Sequence, residues 1–213
     1  MTIAVIDYGM GNLHSVAKAL EHVTQERVVI TRDARRILGA TRLVLPGQGA
    51  IRDCMSELEH TELRGLVDEL LAQQSKPLLG ICLGQQMLFE RSEENGGTEC
   101  LGFMPGQVRR FPTDMLDPHS QRLKVPHMGW NQLQLHQDHA LWRGIHQDEH
   151  FYFLHSYYVT ASNDTDVYGT INYGHITAHV ATGRDATFAV QFHPEKSSRA
   201  GLKLLENFVY WAP

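Results

Sequence analysis

The sequence predicts a single α/β domain over residues 1–213, with a mostly parallel central sheet flanked by helices and antiparallel additions in its C-terminal half. Up to residue 91, short apolar runs alternate with stretches in which apolar residues recur every three or four positions, a pattern typical of a parallel sheet with crossover helices. Beyond residue 91, the apolar segments are short and closely spaced, which favours antiparallel pairs. With 42% hydrophobic residues, the chain can bury a substantial core.

The N-terminal half contains four predicted strands, at residues 3–6, 28–31, 43–45 and 78–81. Helices are predicted between them, where apolar residues lie on one face: Val16, Ala19, Leu20 and Val23; Ile51, Met55 and Leu58; Leu63, Leu66, Val67 and Leu70. Functional residues are expected at the carboxyl ends of parallel strands, where Asp7, Gly47 and Cys82 stand.

The C-terminal half begins with a polar, glycine-rich loop at residues 92–97. Five β-prone segments follow, at residues 132–135, 151–159, 167–172, 176–181 and 187–192. The chain closes with a predicted helix whose apolar face is formed by Leu202, Leu204, Leu205, Phe208, Val209 and Trp211.

The bulk composition argues against several classes of function. A net charge of −5 without a long basic run argues against nucleic-acid binding. The N-terminal stretch lacks the basic region and the apolar length of a signal or membrane segment. The 3 cysteines, an odd number in such a chain, favour reduced thiols. A cytoplasmic protein without membrane contact is therefore expected.

Metal and nucleotide binding are also disfavoured. The histidine pairs His146/His150 and His175/His179 have helical spacing, but no H-E-x-x-H motif or suitably spaced third ligand accompanies them. The glycine-rich turn at residues 7–12 lacks the third glycine of a dinucleotide fingerprint. We therefore expect surface histidines, no metal and no cofactor, while the turn remains suited to close backbone approach.

The most informative stretch surrounds Cys82. The predicted strand at residues 78–81 ends at this cysteine, and Leu83 and Met87, four apart, predict a helix immediately after it. Gly80 and Gly84 flank the cysteine two residues away on each side, which is the pattern of a nucleophile elbow. Such a turn places helix N–H groups next to the thiol, where they favour a thiolate. The alternative is a buried structural cysteine.

A second stretch supplies the partners that a thiol nucleophile needs. The β-prone run at residues 187–192 ends in His193, Pro194 and Glu195. On an extended chain, residues two apart point to the same side, so that His193 and Glu195 can be neighbours. An imidazole that transfers the proton and a carboxylate that orients it complete a nucleophilic set with Cys82. The alternative is a surface turn with an incidental histidine and glutamate.

Together these stretches resemble the two signature motifs of the class I (triad) glutamine amidotransferases. The first match is residues 80–84 with Gln86, and the second is residues 191–195. The resemblance implies an enzyme that takes ammonia from glutamine, with Cys82 as nucleophile, His193 as general base and acid, and Glu195 as orienting carboxylate.

Four further stretches narrow the resemblance to the glutaminase subunits of imidazole glycerol phosphate synthase, which act in histidine biosynthesis. They are residues 7–12, 92–94, 126–131 and 196–197, of which residues 126–131, Pro-His-Met-Gly-Trp-Asn, are the most specific. This resemblance implies L-glutamine as substrate, no cofactor, and a heterodimer with a cyclase subunit (HisF) built on a (β/α)₈ barrel.

The resemblance also implies roles for other residues. Oxyanion-hole donors are expected at the Leu83 N–H and around Gly47 and Gln48. Glutamine-binding groups are expected at Gln86, Glu94, Ser156 and Tyr157. A surface for the partner subunit and the ammonia exit is expected at Gly11, Asn12, His127, Met128, Trp130 and Asn131.

The sequence departs from the family pattern at two positions. Gln48 stands where valine is expected, which leaves its backbone donor available, and Gln85 stands where methionine is expected. We expect Gln85 to point away from the substrate. Gly47 and Gly49 flank Gln48, and their freedom to adopt positive φ predicts a turn whose peptide can reverse.

Three other functions remain as alternatives. The first is a glutaminase subunit of the same class with a different ammonia acceptor, which the stretch at residues 126–131 disfavours. The second is a catalytically silent regulatory subunit, which the intact set of Cys82, His193 and Glu195 disfavours. The third is a cysteine hydrolase or peptidase on a similar sheet, which Gln86 and residues 92–94 disfavour.

Overall fold

The computed structural model describes residues 1–117 and 119–213. The helices are α1 (Leu13–Val23), α2 (Ala34–Gly39), α3 (Ile51–His60), α4 (Arg64–Gln73), α5 (Leu83–Gln86) and α6 (Ser198–Tyr210). The strands are β1 (Thr2–Ile6), β2 (Arg27–Thr31), β3 (Arg42–Gly47), β4 (Leu78–Cys82), β5 (Arg91–Ser92), β6 (Thr98–Glu99), β7 (Gly106–Arg110), β8 (His127–Gln132), β9 (Gln134–Leu135), β10 (His150–His155), β11 (Tyr157–Ala161), β12 (Val167–Tyr173), β13 (Ile176–Arg184) and β14 (Thr187–Val190). Short 3₁₀ turns lie at Glu94–Gly96, Ala140–Trp142, Asp164–Asp166 and Pro194–Lys196.

The centre of the main sheet is parallel. Its strand order is β2-β1-β3-β4-β14-β13-β11-β7-β5-β6, and the first five strands pair in parallel. β4 lies between β3 and β14, with Gly47 opposite Cys82 and Val190 opposite Ile81. The carboxyl ends of β3, β4 and β14 are therefore neighbours, and each leads into a segment singled out in the sequence.

Antiparallel pairs extend this sheet on the far side of β14. β13 pairs with β14 and β12, and β11 pairs with β13 and β7. β8 and β10 instead form a separate two-stranded antiparallel sheet. The predicted fold class, a mostly parallel sheet with antiparallel additions, is confirmed.

The core lies on both faces of the sheet because the side chains of β1 alternate between them. Ile3 and Val5 pack in one cluster with buried residues of α1 and α6. Ala4 and Ile6 pack in the other with buried residues of α3 and α4. Within residues 1–117 and 119–213, no helix has the length and apolar character to cross a membrane.

Several local predictions differ from the structure. The predicted segment at residues 151–159 is two strands, because the chain leaves the β8–β10 sheet at Ser156 and enters the main sheet at Tyr157. The helix predicted after Cys82 is a single turn. Two elements, α2 with its buried residue Ile37 and the strand β7, are not predicted from the sequence.

Candidate active site

Cys82 occupies a strained turn between β4 and α5. Its backbone angles are φ 57° and ψ −112°, an unusual conformation for a residue with a side chain. A Cβ atom at Gly84 would lie 1.9 Å from the Leu45 carbonyl oxygen, and one at Gly80 would lie 2.8 Å from the Gly84 carbonyl oxygen. Both flanking glycines are therefore required by close backbone approach, as the elbow pattern predicts.

His193 and Glu195 lie side by side immediately after β14. The Nδ1 atom of His193 is 2.9 Å from Oε1 of Glu195, and both side chains are buried. The backbone there is held firmly, since the His193 N–H donates to the Tyr152 carbonyl over 3.0 Å. The Ser197 hydroxyl donates to the His193 carbonyl over 2.7 Å.

The electrostatics of this pair favour a protonated imidazole. Burial lowers the pKa of His193, but the neighbouring Cys82 and the hydrogen-bonded Glu195 carboxylate outweigh it and raise the pKa to about 10. Because Nδ1 is engaged by Glu195, the nitrogen that faces Cys82 is Nε2. At neutral pH, His193 is therefore a cation positioned to donate a proton.

Two glutamines line the approach to the sulfur. Gln191 Nε2 is 3.7 Å from Cys82 Sγ, and Gln191 Oε1 accepts a hydrogen bond from Gln86 Nε2 over 2.8 Å. Gln86 Nε2 also donates to the Tyr157 carbonyl over 3.2 Å. Gln85 points the other way, with its amide 3.1 Å from Thr182 Oγ1, as expected.

Most of the predicted catalytic, oxyanion and glutamine-binding residues line one cavity of about 310 Å³, whereas Gly47, Glu195 and the residues predicted to face a partner do not. Its volume lies in the range of small-molecule sites. It is lined by Gln48, Gly49, Cys82, Leu83, Gln86, Glu94, Pro126, Leu154, His155, Ser156, Tyr157, His193 and Lys196.

The turn after β3 forms the wall of this cavity next to Leu83. As the first residue of α5, Leu83 has an N–H without an intrahelical acceptor. A Cβ atom at Gly47 would lie 2.7 Å from the Leu83 Cβ, so the two segments are in close contact.

Two buried side chains hold carbonyl groups of this turn. The Tyr8 hydroxyl donates to the Pro46 carbonyl over 2.7 Å, and Cys54 Sγ is 3.6 Å from the Gln48 carbonyl oxygen. Burial raises the pKa of Tyr8 and raises that of Cys54 to about 11, so both remain protonated donors at neutral pH. The Pro46 and Gln48 carbonyls are thereby directed away from the cavity.

The predicted glutamine-binding residues Glu94, Ser156 and Tyr157 also line the cavity. Glu94 Oε2 accepts a hydrogen bond from the Ile51 N–H over 2.8 Å, which fixes the polar loop against the start of α3. Ser156 and Tyr157 lie where the chain passes between the two sheets, and the Ser156 carbonyl accepts from the Phe111 N–H over 3.0 Å. The Ser156 and Tyr157 carbonyls are thus engaged within the protein and hold this part of the cavity wall in place.

The residues predicted to face a partner fall into three groups. Met128 and Trp130 are 66% and 53% exposed on one face of β8. His127 is buried and Asn131 is half-buried, so neither is freely presented on the surface. Gly11 and Asn12 precede α1, where a Cβ atom at Gly11 would lie 3.3 Å from the Pro46 Cβ.

Three residues of this neighbourhood, Tyr8, His155 and Gln191, have no role predicted from the sequence, although Tyr8 and Gln191 lie within its matched stretches. A role for Gln191 could have been predicted, because this residue precedes His193 by two positions on an extended run and belongs to the same motif. Tyr8 and His155 are defined by contacts across the fold. In the described part of the chain, no group of three or more histidine, cysteine, aspartate or glutamate side chains could hold a metal ion.

Comparisons with known proteins identify the family of the chain. The family model "Glutamine amidotransferase class-I" matches residues 4–212. The chain is 54% identical over 211 residues to the imidazole glycerol phosphate synthase subunit HisH of Pseudomonas syringae pv. syringae (strain B728a), covering 99% of this chain and 97% of that protein. The protein of the same name from Dechloromonas aromatica (strain RCB) is 54% identical over 214 residues. This match covers 100% of this chain and 97% of the relative.

Solved structures support the fold. A crystal structure described as a glutamine amidotransferase aligns with a TM-score of 0.71 at 18% identity, covering 97% of this chain and 98% of that one. The structure of PurLQS from Thermotoga maritima aligns with a TM-score of 0.72 at 16% identity. The alignment covers 98% of this chain and 97% of that one. At such identities, the likeness establishes the architecture alone.

Proposed function

The chain belongs to the class I glutamine amidotransferases, and from this premise we propose that it is the glutaminase subunit of an imidazole glycerol phosphate synthase. It hydrolyses L-glutamine to glutamate and ammonia for histidine biosynthesis. The observation that best supports the chemistry is the cavity that contains Cys82, His193 and Gln86 together.

The reaction begins with a nucleophile that is activated before substrate arrives. The protonated His193 next to Cys82 favours the thiolate, and the N–H groups at the start of α5 add to that preference. The thiolate attacks the side-chain amide carbonyl of glutamine. The developing oxyanion is stabilised by the Leu83 N–H and by a second backbone donor from the Gly47–Gln48 segment.

His193 then serves first as acid and afterwards as base. It donates its proton to the departing nitrogen, and ammonia leaves a glutamyl thioester on Cys82. Acylation removes the negative charge of Cys82, one of the contributions that raise the pKa of His193. The pKa of His193 therefore falls in the thioester, and the imidazole can accept a proton from the water that hydrolyses it.

The ammonia is passed to a cyclase subunit of the HisF type, a (β/α)₈ barrel. There it converts the phosphoribulosyl formimino-AICAR nucleotide into imidazole glycerol phosphate and AICAR. Free ammonia is readily protonated and diluted in water, so a closed path between two docked subunits is required. The exposed side chains of Met128 and Trp130 on β8 support a docking surface there.

Glu195→Gln should lower the glutaminase rate on the order of 10- to 1,000-fold, less than the loss of His193 itself. The amide oxygen can still accept from His193 Nδ1, while the charge that stabilises the imidazolium is lost. Steady-state glutamate release in the complex measures this loss. A rate equal to that of a His193 variant would mean that Glu195 does more than orient the ring.

The second oxyanion donor, from the Gly47–Gln48 segment, is expected to become available only when the cyclase subunit is bound. Reversal of the Gly47–Gln48 peptide would exchange a carbonyl for an N–H at the cavity wall, and the adjoining Gly49 shapes this turn with a φ of +105°. Alanine is disfavoured at such angles by roughly 1–2 kcal/mol. Gly49→Ala should therefore reduce cyclase-stimulated glutaminase activity about 5- to 30-fold and basal activity less.

Gly65→Ala is a matched control for this variant. Gly65 lies in α4 with open space around its Cα, so the substitution should be neutral. Gly47→Ala is unsuitable, because its new Cβ would collide with Leu83. Full glutaminase activity in the purified, partner-free chain would refute the switch and favour a freestanding hydrolase.

The proposed function is tested by supplying glutamine labelled with ¹⁵N at its amide to the chain together with a HisF-type subunit and the nucleotide substrate. We expect the label in the imidazole ring of imidazole glycerol phosphate, at a yield that exceeds incorporation from added ammonium. Glutamate release without label transfer would point to a glutaminase with a different ammonia acceptor.

A further inference from the structure

A chain of hydrogen bonds runs from β8 to the glutamine-binding backbone through two buried imidazoles. Asn131 Nδ2 is 3.4 Å from His127 Nε2, and His127 Nδ1 is 3.0 Å from His155 Nε2. His155 Nδ1 is in turn 2.8 Å from the Tyr157 carbonyl oxygen. We call Asn131, His127 and His155 the histidine chain.

The direction of every bond in the histidine chain is fixed by its ends. The Tyr157 carbonyl can only accept, so His155 carries its hydrogen on Nδ1 and accepts on Nε2. His127 must then donate from Nδ1, which leaves its Nε2 as an acceptor for the Asn131 amide. The same Asn131 amide donates to the Asn172 carbonyl over 3.1 Å, which anchors the outer end.

The surroundings keep both imidazoles neutral and in place. Burial lowers the pKa of His127 to about 4 and that of His155 to about 3. The His127 ring packs on Tyr173 and Phe153, with centroids 4.2 and 5.2 Å away. A charged imidazole would place two donors against each other, so the neutral state is also required by the hydrogen-bond pattern.

The inner end of the histidine chain meets the reactive centre. The Tyr157 carbonyl accepts from Gln86 as well as from His155, and Gln86 donates to Gln191, whose amide reaches Cys82 Sγ. Tyr157 is therefore the point at which the histidine chain and the glutamine pair are joined. The orientation of the Tyr157 carbonyl therefore determines the position of the adjacent Ser156 backbone, which lines the cavity.

We propose that His127 and His155 are positioning residues that fix the Ser156–Tyr157 backbone for glutamine binding. Neither is expected to exchange a proton with the substrate. The inference rests on the proposed glutaminase function, since it assigns the two histidines a role in that same site. It predicts an effect on KM for glutamine rather than on the chemical step.

The test compares two substitutions of His127 in the complex with the cyclase subunit. His127→Phe keeps the ring packing and removes both hydrogen bonds, and one such bond corresponds to roughly a two- to tenfold effect. We expect KM for glutamine to rise by about that factor while kcat changes less than about twofold. His127→Asn retains an amide donor near the Nδ1 position and should restore part of the loss.

His139→Phe is a matched control, because His139 also stacks on an aromatic ring, Phe188, with centroids 4.4 Å apart. It should leave KM unchanged. Equal KM values for wild type, His127→Phe and His127→Asn, in an active complex, would overturn the inference. An inactive wild-type complex would instead contradict the proposed function.

A second measurement needs no activity. ¹⁵N-detected NMR of the histidine side chains in the isolated chain should show both His127 and His155 protonated at Nδ1 alone and not titrating near pH 6.5. Protonation of either ring at Nε2, or titration near pH 6.5, would contradict the histidine chain whatever the enzyme does.

Discussion

Cys82→Ala is expected to abolish glutamine hydrolysis, with a loss on the order of 10⁶-fold in kcat. The substitution removes the atom that forms the thioester, and no neighbouring group in the cavity offers an equivalent nucleophile in its place. The fold should survive, because alanine fits the strained turn no worse than cysteine. Glutamate release by the purified variant, with the cyclase subunit present, measures the loss.

Cys100→Ser is the matched control for this variant. Cys100 is buried, and that burial raises its pKa to about 12, so it remains an unreactive thiol at neutral pH. Near wild-type activity is expected. Cys54 is a poorer control because its thiol lies against the Gln48 carbonyl in the turn after β3. Glutamate release by Cys82→Ala at a near wild-type rate would exclude Cys82 as the nucleophile.

His193→Asn should cost on the order of 10⁴- to 10⁶-fold in kcat, because it removes both proton-transfer steps. It also removes the cation that favours the Cys82 thiolate. Alkylation by iodoacetamide at neutral pH separates the two effects. We expect Cys82 to be modified more slowly in the variant than in the wild type, and an unchanged alkylation rate would mean that His193 does not activate the thiol.

The same variant tests the ionisation of His193 through stability. Its pKa is about 10 in the folded chain, against 6.5 for a free histidine. A raised folded-state pKa stabilises the fold fully below about pH 6.5, and that stabilisation is lost as the pH rises towards 10. Urea titrations across this range should show the alkaline loss in the wild type and a smaller one in His193→Asn.

Much of the fold was predictable because local patterns and tertiary partners agree. The apolar runs that form β1, β3 and β4 are buried on both faces, so their sequences are continuous and easily recognised. The break at Ser156 could not be predicted, because residues on both sides of it are β-prone. It is set by the different partners of β10 and β11, which lie far away in sequence.

In the candidate site too, some residues can be predicted from local patterns and others cannot. Cys82, its flanking glycines, His193 and Glu195 are specified by short motifs whose chemistry depends on spacing, and the structure brings them to adjacent strand ends. Tyr8 and His155 act through contacts with residues distant in the chain, Pro46 and His127. No local pattern reports such contacts. His127 is predicted at a docking surface, but its side chain is buried and is hydrogen-bonded to His155 instead.

The central step is the formation of a thioester between Cys82 and the glutamyl group of glutamine during turnover. It is tested most directly by acid-quenching the glutamine-saturated complex and mapping its peptides by mass spectrometry. We predict that a glutamyl group is bound to the peptide containing Cys82 and is absent from the peptides containing Cys54 and Cys100. Glutamate release at the full rate without a trapped adduct on Cys82, or an adduct on another residue, would contradict the account.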